Sequence, residues 1–360
     1  MKMKTLTALV VWLTCVFALA TMAGANGGFS VTPVFPSNQN PESTGAFNLN
    51  VTPGQRQEIA VMVNNPQDEP ITVEISLISP GTNRNGIIDY TGPGRLDETI
   101  EGASFSDIAH LTVSEDITVP ANMSAEIPVI IEIPQDGIEG VMLGAVHVLL
   151  GITDEEVEDA GMIVNRFAHV ISVRLQEEGA SEPPADFALG EVRVDLVNHR
   201  AAIVADVRNP QPRFAMGAIA HAQVYPAGSD QPMFTAGNVG VDFAPNSIFP
   251  FSMTDEGGYG IPPGSYIARV QIEHDGQNWE FEETFTVAAQ AAAVVNAAAV
   301  NQQASPYQLR GGFPAWGFAA IGAGVILLIG LTALILRSKS KSRKEIQQLM
   351  EQIEQQKKPD

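Results

Sequence analysis

The sequence has 360 residues, with 41 Asp and Glu against 20 Lys and Arg, and a formal net charge of −21. This length predicts about two domains with appendages, and the acidic balance argues against a nucleic-acid partner, because phosphate contacts need clustered Lys and Arg. The single Cys excludes a disulfide framework and a Cys-based zinc site.

The N-terminus predicts a secretory signal peptide over residues 1–25. Lys2 and Lys4 precede an apolar stretch at residues 6–20, and Ala23-Gly24-Ala25 is typical of a cleavage site. The alternative is an uncleaved anchor helix, for which the apolar stretch is short. Cleavage after Ala25 would remove Cys15 as well.

Residues 26–175 predict a first β-sandwich domain. Ile59, Val61 and Val63 alternate along one strand face, and two β-branched apolar runs at 141–152 and 162–175 are expected to pair. Between these runs lies the acidic segment 154–159. Its carboxylates could bind calcium, but the spacing fits no EF-hand loop, and a solvated hairpin loop is the preferred interpretation.

A polar, Pro-containing linker is predicted at 176–185, followed by a second β-sandwich over 186–288. Its clearest signal is Asp275-Gly276 between two strand patterns, which is typical of a hairpin turn. The fold class is therefore all-β, with two Ig-like β-sandwich domains in tandem. An Ala-, Gln- and Asn-rich stalk is expected at 289–312.

Residues 313–336 predict one transmembrane helix, because 21 uncharged residues from 316 to 336 are long enough for a hydrocarbon core of about 30 Å. The following basic residues predict a cytoplasmic tail over 337–360 and an external N-terminus, hence a single-pass cell-membrane protein. The residues expected to anchor the helix are Trp316, Leu327, Leu336, Arg337 and Lys339.

No catalytic or metal-binding motif stands out, and no cofactor is expected. Three polar loop regions, at 82–90, 198–200 and 209–212, are candidate glycan or partner contacts, because side-chain amides bind hydroxyl groups and an aromatic ring stacks on a sugar face. The alternative is that Asn and Gly only provide the positive φ angles of turns. The candidates are Asn83, Arg84, Asn85, Tyr90, Asn198, Arg200 and Asn209.

Seven segments in order resemble the WxL-interacting proteins of Gram-positive bacteria. The first four are FSVTPVFPSNQ, FNLNVTPGQ, TNRNGIIDY and GVMLGAVHV, and the last three are LVNHRAAIVADVRNPQP, FAPNSIFPF and PGSYIARVQIEHDGQNWEFEETFTV. The resemblance implies a peptidoglycan-binding domain followed by a host- or ligand-binding domain, with a family-style boundary near 150–160. It implies secreted WxL-domain proteins as partners, and no catalytic residue.

These observations favour a non-enzymatic cell-surface adaptor. It would bind peptidoglycan and WxL-domain proteins and present a complex for adhesion to host extracellular matrix, polysaccharide or another extracellular ligand. The alternatives are a surface glycan-acting hydrolase and a receptor subunit of a polysaccharide-utilisation system.

Overall fold

The computed structural model describes residues 28–151, 166–255 and 260–300. Eighteen strands and two helices are assigned in these ranges, and the predicted all-β class is confirmed. The strands are β1 (Ser30–Val34), β2 (Phe47–Val51), β3 (Arg56–Asn65), β4 (Ile71–Ile78), β5 (Gly81–Thr82), β6 (Ile88–Asp89), β7 (Ala109–Leu111), β8 (Asp116–Val119), β9 (Met123–Glu132), β10 (Val141–Leu150), β11 (Ala168–Glu177), β12 (Ala188–Val197), β13 (Arg200–Asn209), β14 (Ala215–Pro226), β15 (Phe234–Phe243), β16 (Ser247–Thr254), β17 (Gly264–His274) and β18 (Gln277–Val287). The helices are α1 (Phe105–Ile108) and α2 (Ala289–Ala298).

The first sandwich consists of two sheets around one apolar core. One sheet has the order β1-β3-β9-β7 and the other the order β2-β11-β10-β4-β8. Both sheets contribute alternate apolar residues, such as Val61 on β3 and Val148 on β10, to the same buried cluster. The side-chain period of two in a strand explains this division between a buried and an outward face.

The second sandwich has a three-stranded sheet, β12-β13-β16, and a four-stranded sheet, β15-β14-β17-β18. Its separate core includes Ile203 on β13 and Val270 on β17. The hairpin predicted at Asp275-Gly276 is confirmed, since both residues have positive φ and join β17 to β18. The predicted pairing of the runs after residues 141 and 162 is confirmed by the antiparallel contact of β10 with β11.

A long connection leaves β4 and returns to the first sandwich at α1. It spans residues 79–104, which we call the junction loop, and contains the two-residue strands β5 and β6. The loop narrows where Gly81 and Gly94 approach each other, since a Cβ atom on Gly94 would collide with the backbone of Gly81. Such a close approach of two backbones requires glycine.

The segment predicted as a stalk begins with helix α2, which packs on the second sandwich. Ala292 is buried, and the side-chain amide of Asn296 exchanges two hydrogen bonds with the backbone of Ile261, at 2.8 and 2.9 Å. The backbone N–H of Val300 donates to the carbonyl of His199. Residues 289–300 are thus joined to the second sandwich by packing and by hydrogen bonds.

The prediction of a single-pass membrane protein is corrected by the structure. In the described part of the chain the two helices have four and ten residues, and neither is long and apolar enough to cross a membrane. The predicted signal peptide (1–25), the predicted span (313–336) with its five anchor residues, and the basic tail (337–360) lie outside the described residues. So does the acidic segment 154–159.

The core of the first sandwich depends on the absence of a side chain at Gly144. A Cβ atom there would overlap the ring of Phe105, which is fully buried. We expect Gly144→Ala to lower the free energy of unfolding by about 1–3 kcal/mol, because the added methyl group would push the Phe105 ring away from β10. Urea denaturation would measure it, with Gly92→Ala as control, since nothing lies within 4 Å of a Cβ atom at Gly92. Equal stability of both variants would contradict the expectation.

Candidate functional site

The predicted contact residues of the junction loop face the second sandwich. The side-chain oxygen of Asn83 accepts hydrogen bonds from the backbone of Asn85 and Ile87, at 2.9 and 3.3 Å, and so shapes the turn. The guanidinium of Arg84 bonds the carboxylate of Asp195 at 2.9 Å. The carbonyl of Asn85 accepts a bond from Asn238 at 3.2 Å.

The other predicted contact residues are dispersed. Burial raises the pKa of Tyr90, at the end of the β5–β6 hairpin. Asn198 lies at the turn between β12 and β13 with φ of 50°, and Arg200 follows as the first residue of β13. Asn209 is fully buried, and its amide donates to the carbonyls of Arg213 and Ala244 at 2.8 and 2.9 Å. Their proposed role in ligand contact stays a prediction.

The strongest polar contact between the sandwiches is centred on Asp206 of β13. Arg95 of the junction loop bonds both carboxylate oxygens of Asp206, each at 2.7 Å, and Arg193 of β12 adds a third bond at 2.7 Å. The Asp206 side chain is only 5% exposed. Two-pronged bonds of this kind are the strongest arrangement that arginine and a carboxylate can make.

A second, reversed pair lies two residues further along both segments. Asp97 of the junction loop is almost fully buried and pairs with Arg208 of β13 at 3.4 Å. Between these pairs, the backbone of Leu96 forms an isolated bridge with Ser247, and the N–H of Ile248 donates to the carbonyl of Arg95 at 2.9 Å. The junction loop therefore continues the three-stranded sheet beyond β16.

A buried hydroxyl completes the junction. The backbone N–H of Ala244 donates to Thr82 Oγ1 at 2.9 Å, and the same atom lies 3.1 Å from Ser247 Oγ. Thr82 and Ser247 are both buried. Buried polar groups without partners are costly, so this network fixes the β5 end of the loop against the second sandwich.

Opposing influences set the pKa of Asp206. Burial raises it, but the hydrogen bonds and charges of Arg95 and Arg193 outweigh burial and hold the pKa below its ordinary value. The carboxylate in turn raises the pKa of Arg95 through its hydrogen bonds. The group is therefore ionised at neutral pH and acts as the charged centre of the junction.

A second feature is a cluster of carboxamide side chains on the first sandwich, which we call the amide cluster. Asn38 donates to the carbonyl of Asn50 and to Gln57 Oε1, each at 2.8 Å, and Gln55 donates to the same oxygen of Gln57 at 2.7 Å. Gln57 is buried and anchors the group. The members are Asn38, Gln39, Asn48, Asn50, Gln55 and Gln57.

Two members of the amide cluster leave their side-chain amides free. Asn48 and Asn50 are separated by one residue on β2 and point outward, and among the described residues neither side-chain amide has a hydrogen-bond partner. Phe35, at the end of β1, is 40% exposed and packs edge-on against Phe47 of β2 at 5.7 Å. Free carboxamides suit a ligand rich in hydroxyl and amide groups, and the exposed ring of Phe35 offers a separate apolar contact, since its partner Phe47 faces the core side of β2.

The sequence interpretation did not single out the amide cluster, although seven Asn and Gln residues within residues 38–57, six of them members of the cluster, form a clear composition signal. Within the described ranges, no group of three or more His, Cys, Asp or Glu side chains is arranged to hold a metal ion.

These features define a two-sandwich, all-β protein whose known relatives are binding domains. Residues 29–149 match the family described as WxL Interacting Protein, peptidoglycan binding domain, and residues 158–297 match WxL Interacting Protein, host binding domain. The chain belongs to the WxL-interacting proteins, as the resemblance predicted. It therefore carries the peptidoglycan-binding and host-binding domains of a surface protein.

Solved structures similar to this chain include fimbrial chaperones. The YadV chaperone is 12% identical, with a TM-score of 0.27, and the match covers 72% of this chain and all of the other (100%). The CupB2 chaperone of Pseudomonas aeruginosa is 13% identical, with a TM-score of 0.25 and coverage of 63% and 92%. Likenesses this distant carry no argument about function. No curated protein sequence matches the chain.

Asp206 provides the first test of the junction. We expect Asp206→Ala to lower the free energy of unfolding by about 1–3 kcal/mol, because it removes the three hydrogen bonds of the carboxylate to Arg95 and Arg193, while the 48% exposure of the Arg95 side chain lets water replace part of the loss. Glu74→Ala is the matched control: Glu74 pairs with Arg166 at 3.3 Å on the exposed surface, where such pairs contribute about 0–1 kcal/mol. Equal losses in the two variants, measured by urea denaturation, would contradict a central role for Asp206.

The pH dependence provides a second test. A carboxylate whose pKa is depressed by folding adds stability above its unfolded pKa, about 3.9, and this stability disappears as pH falls through the folded pKa. We therefore expect wild type to be more stable than Asp206→Asn at pH 7, with the difference shrinking below about pH 4. Denaturation of both proteins across this range would measure it. A difference that stays constant down to pH 3 would show that Asp206 is not the titrating group.

Proposed function

We propose that this protein is a non-enzymatic surface adaptor. Its first sandwich binds peptidoglycan through the amide cluster, its second sandwich binds a host or extracellular ligand, and the assembly recruits WxL-domain proteins. The domain descriptions that match the chain support the two binding activities. The observation that carries the proposal is the amide cluster, with its two outward amides and the exposed ring of Phe35.

The chemistry of peptidoglycan favours this surface. Its glycan strands and peptide stems present hydroxyl groups and amides, each of which can both donate and accept hydrogen bonds. A carboxamide side chain does the same. The side chains of Asn48 and Asn50 are positioned by β2, and the loop before it is held by Gln39, whose amide donates to the carbonyls of Ser43 and Ala46 at 2.8 and 3.0 Å. The ligand would meet a preorganised surface, which lowers the entropic cost of binding.

Charge explains why the contact must be local. Residues 26–315 carry 37 acidic residues against 11 Arg and no Lys, so anionic wall polymers are repelled by the surface as a whole. The amide cluster contains no ionisable group. Binding by hydrogen bonds and ring contact avoids the repulsion, and it should depend weakly on salt concentration.

The junction supports the adaptor role. Because the junction loop of the first sandwich is locked to β13 and β16 of the second, a wall-bound first sandwich would hold the second in a fixed orientation. A flexible linker would not do this. The fixed relation suits a protein that presents partners at a surface.

Asn48 and Asn50 test the wall contact. We expect the double variant Asn48→Ala/Asn50→Ala to sediment with isolated peptidoglycan about tenfold more weakly than wild type, since each lost hydrogen bond contributes about 0.5–1.5 kcal/mol and 1.4 kcal/mol corresponds to a factor of ten. Phe35→Ala should weaken the same interaction. Binding should change little between low and physiological salt.

The matched control removes an exposed amide from the other sandwich. Asn278 lies on β18 and is exposed, so Asn278→Ala should sediment like wild type. Capture of a purified WxL domain, scored in parallel, tests the recruitment step separately. If wild type does not sediment with peptidoglycan, or if the amide variants sediment equally well, the proposal is wrong.

A further inference from the structure

The outer face of the four-stranded sheet in the second sandwich carries a polar pocket of about 670 Å³. Two parallel rows of side chains line it, each crossing β14, β17 and β18. The first row is Gln223, Arg269 and Glu282, and the second is His221, Gln271 and Glu280. Directly paired residues of neighbouring strands point to the same face, so each row forms a continuous line.

The first row is braced by contacts within the protein. The hydroxyl of Tyr225 donates to Gln223 Oε1 at 2.7 Å, which leaves the amide nitrogen of Gln223 as a donor. The guanidinium of Arg269 lies over the ring of Tyr225, with Cζ 4.9 Å from the ring centre, and its Nε donates to Glu282 at 2.8 Å. These side chains are therefore held in place before a ligand arrives.

The second row is free. His221, Gln271 and Glu280 make no side-chain hydrogen bond or ion pair within the described ranges, although all three line the pocket. Together they offer an imidazole, a carboxamide and a carboxylate, which include both donors and acceptors. These side chains reach solvent and are not engaged within the protein, so they can exchange water for the polar groups of a ligand.

The dimensions and the open end of the pocket favour an elongated ligand. Each row crosses three strands, about 10 Å at the usual strand spacing, and the rows are about 7 Å apart. On the neighbouring strand β15, Gly237 stands opposite His221. A Cβ atom at Gly237 would lie 3.0 Å from the imidazole, so glycine keeps this end of the second row open.

The charges narrow the ligand class. The two rows contain two carboxylates and one guanidinium, which is already bonded to Glu282, so an anionic ligand is disfavoured. Hydrogen-bonding side chains form both rows, which favours a ligand that carries hydroxyl groups. We propose that this pocket binds a neutral oligosaccharide, whose hydroxyl groups donate to Glu280 and accept from Gln223 and Arg269. The inference rests on the proposed function in one respect, namely that the second sandwich presents the extracellular ligand site.

The test is calorimetric titration of the full-length chain with three neutral probes, namely cellohexaose, fully N-acetylated chitohexaose and maltohexaose. Hexagalacturonate serves as the anionic probe and hexalysine as the basic peptide. We expect at least one neutral probe to bind wild type and hexagalacturonate not to bind. The affinity for that neutral probe should fall about tenfold in Gln271→Ala and in Glu280→Ala, one hydrogen bond each.

Glu283→Ala is the matched control. Glu283 lies on β18 but pairs with Ala268, so it is outside the two rows, and the variant makes the same change of charge as Glu280→Ala. It should bind like wild type, and all three variants should keep the wild-type melting temperature. An equal loss in Glu280→Ala and Glu283→Ala would show a bulk charge effect and overturn the proposal.

The remaining outcomes are also decisive. If only hexalysine binds, the ligand is a basic peptide and the saccharide proposal is wrong. If no probe binds, the proposal that the pocket is a saccharide site is also wrong. Peptidoglycan sedimentation, measured on the same protein, separates the two proposals. If sedimentation persists while no saccharide binds, only this inference fails; if saccharide binds without sedimentation, only the wall contact fails.

Discussion

A buried carboxylate controls the relation between the two sandwiches. Removing a charge from water costs several kcal/mol unless paired groups replace the water, and Asp206 meets this requirement only when Arg95 and Arg193 are both present. Arg193 comes from the same sheet, but Arg95 comes from the first sandwich. Separation of the sandwiches would therefore leave Asp206 without its two-pronged partner, so the electrostatics of a single residue disfavour any open arrangement.

The boundary between the two matched regions does not coincide with the boundary between the two sandwiches. The host-binding match begins at residue 158, yet β11, at Ala168–Glu177, pairs with β10 and runs parallel to β2 in the first sandwich. The strand that bears the free amides of Asn48 and Asn50 thus depends on a strand from the other matched region. The first sandwich is therefore complete only with a strand that the family models assign to the host-binding region.

Local patterns were sufficient to predict the strands but not the junction. Alternation along β3 and the Asp-Gly turn before β18 depend only on neighbouring residues, so they could be interpreted from sequence. By contrast, Arg84–Asp195, Arg95–Asp206 and Asp97–Arg208 each join residues 111 apart. The charges of Arg-Leu-Asp at 95–97 are opposite to those of Asp-Val-Arg at 206–208. This match is apparent only once the fold has brought the two segments side by side. For this reason the sequence alone predicted Arg84 as a possible ligand contact, whereas the structure shows it bonded to Asp195. The side chain of Asn209, another predicted contact, is buried and bonds the backbone carbonyls of Arg213 and Ala244.

The same reasoning explains the use of arginine without lysine between residues 26 and 315. Four of these Arg side chains, at 84, 95, 193 and 208, form ion pairs at the junction, where a planar fork can satisfy two oxygens at once and a lysine ammonium cannot. Four of the eleven positive charges between residues 26 and 315 are thus engaged in ion pairs at the junction, and 37 acidic residues outnumber the eleven over the same range. The proposed recognition of wall or host therefore relies on hydrogen bonds, from the carboxamides of the amide cluster and from the imidazole, carboxamide and carboxylate of the second row. The junction fixes the amide cluster of the first sandwich relative to the sheet face of the second. Binding of the amide cluster to the wall would therefore raise the effective concentration of the sheet face at any ligand within its reach.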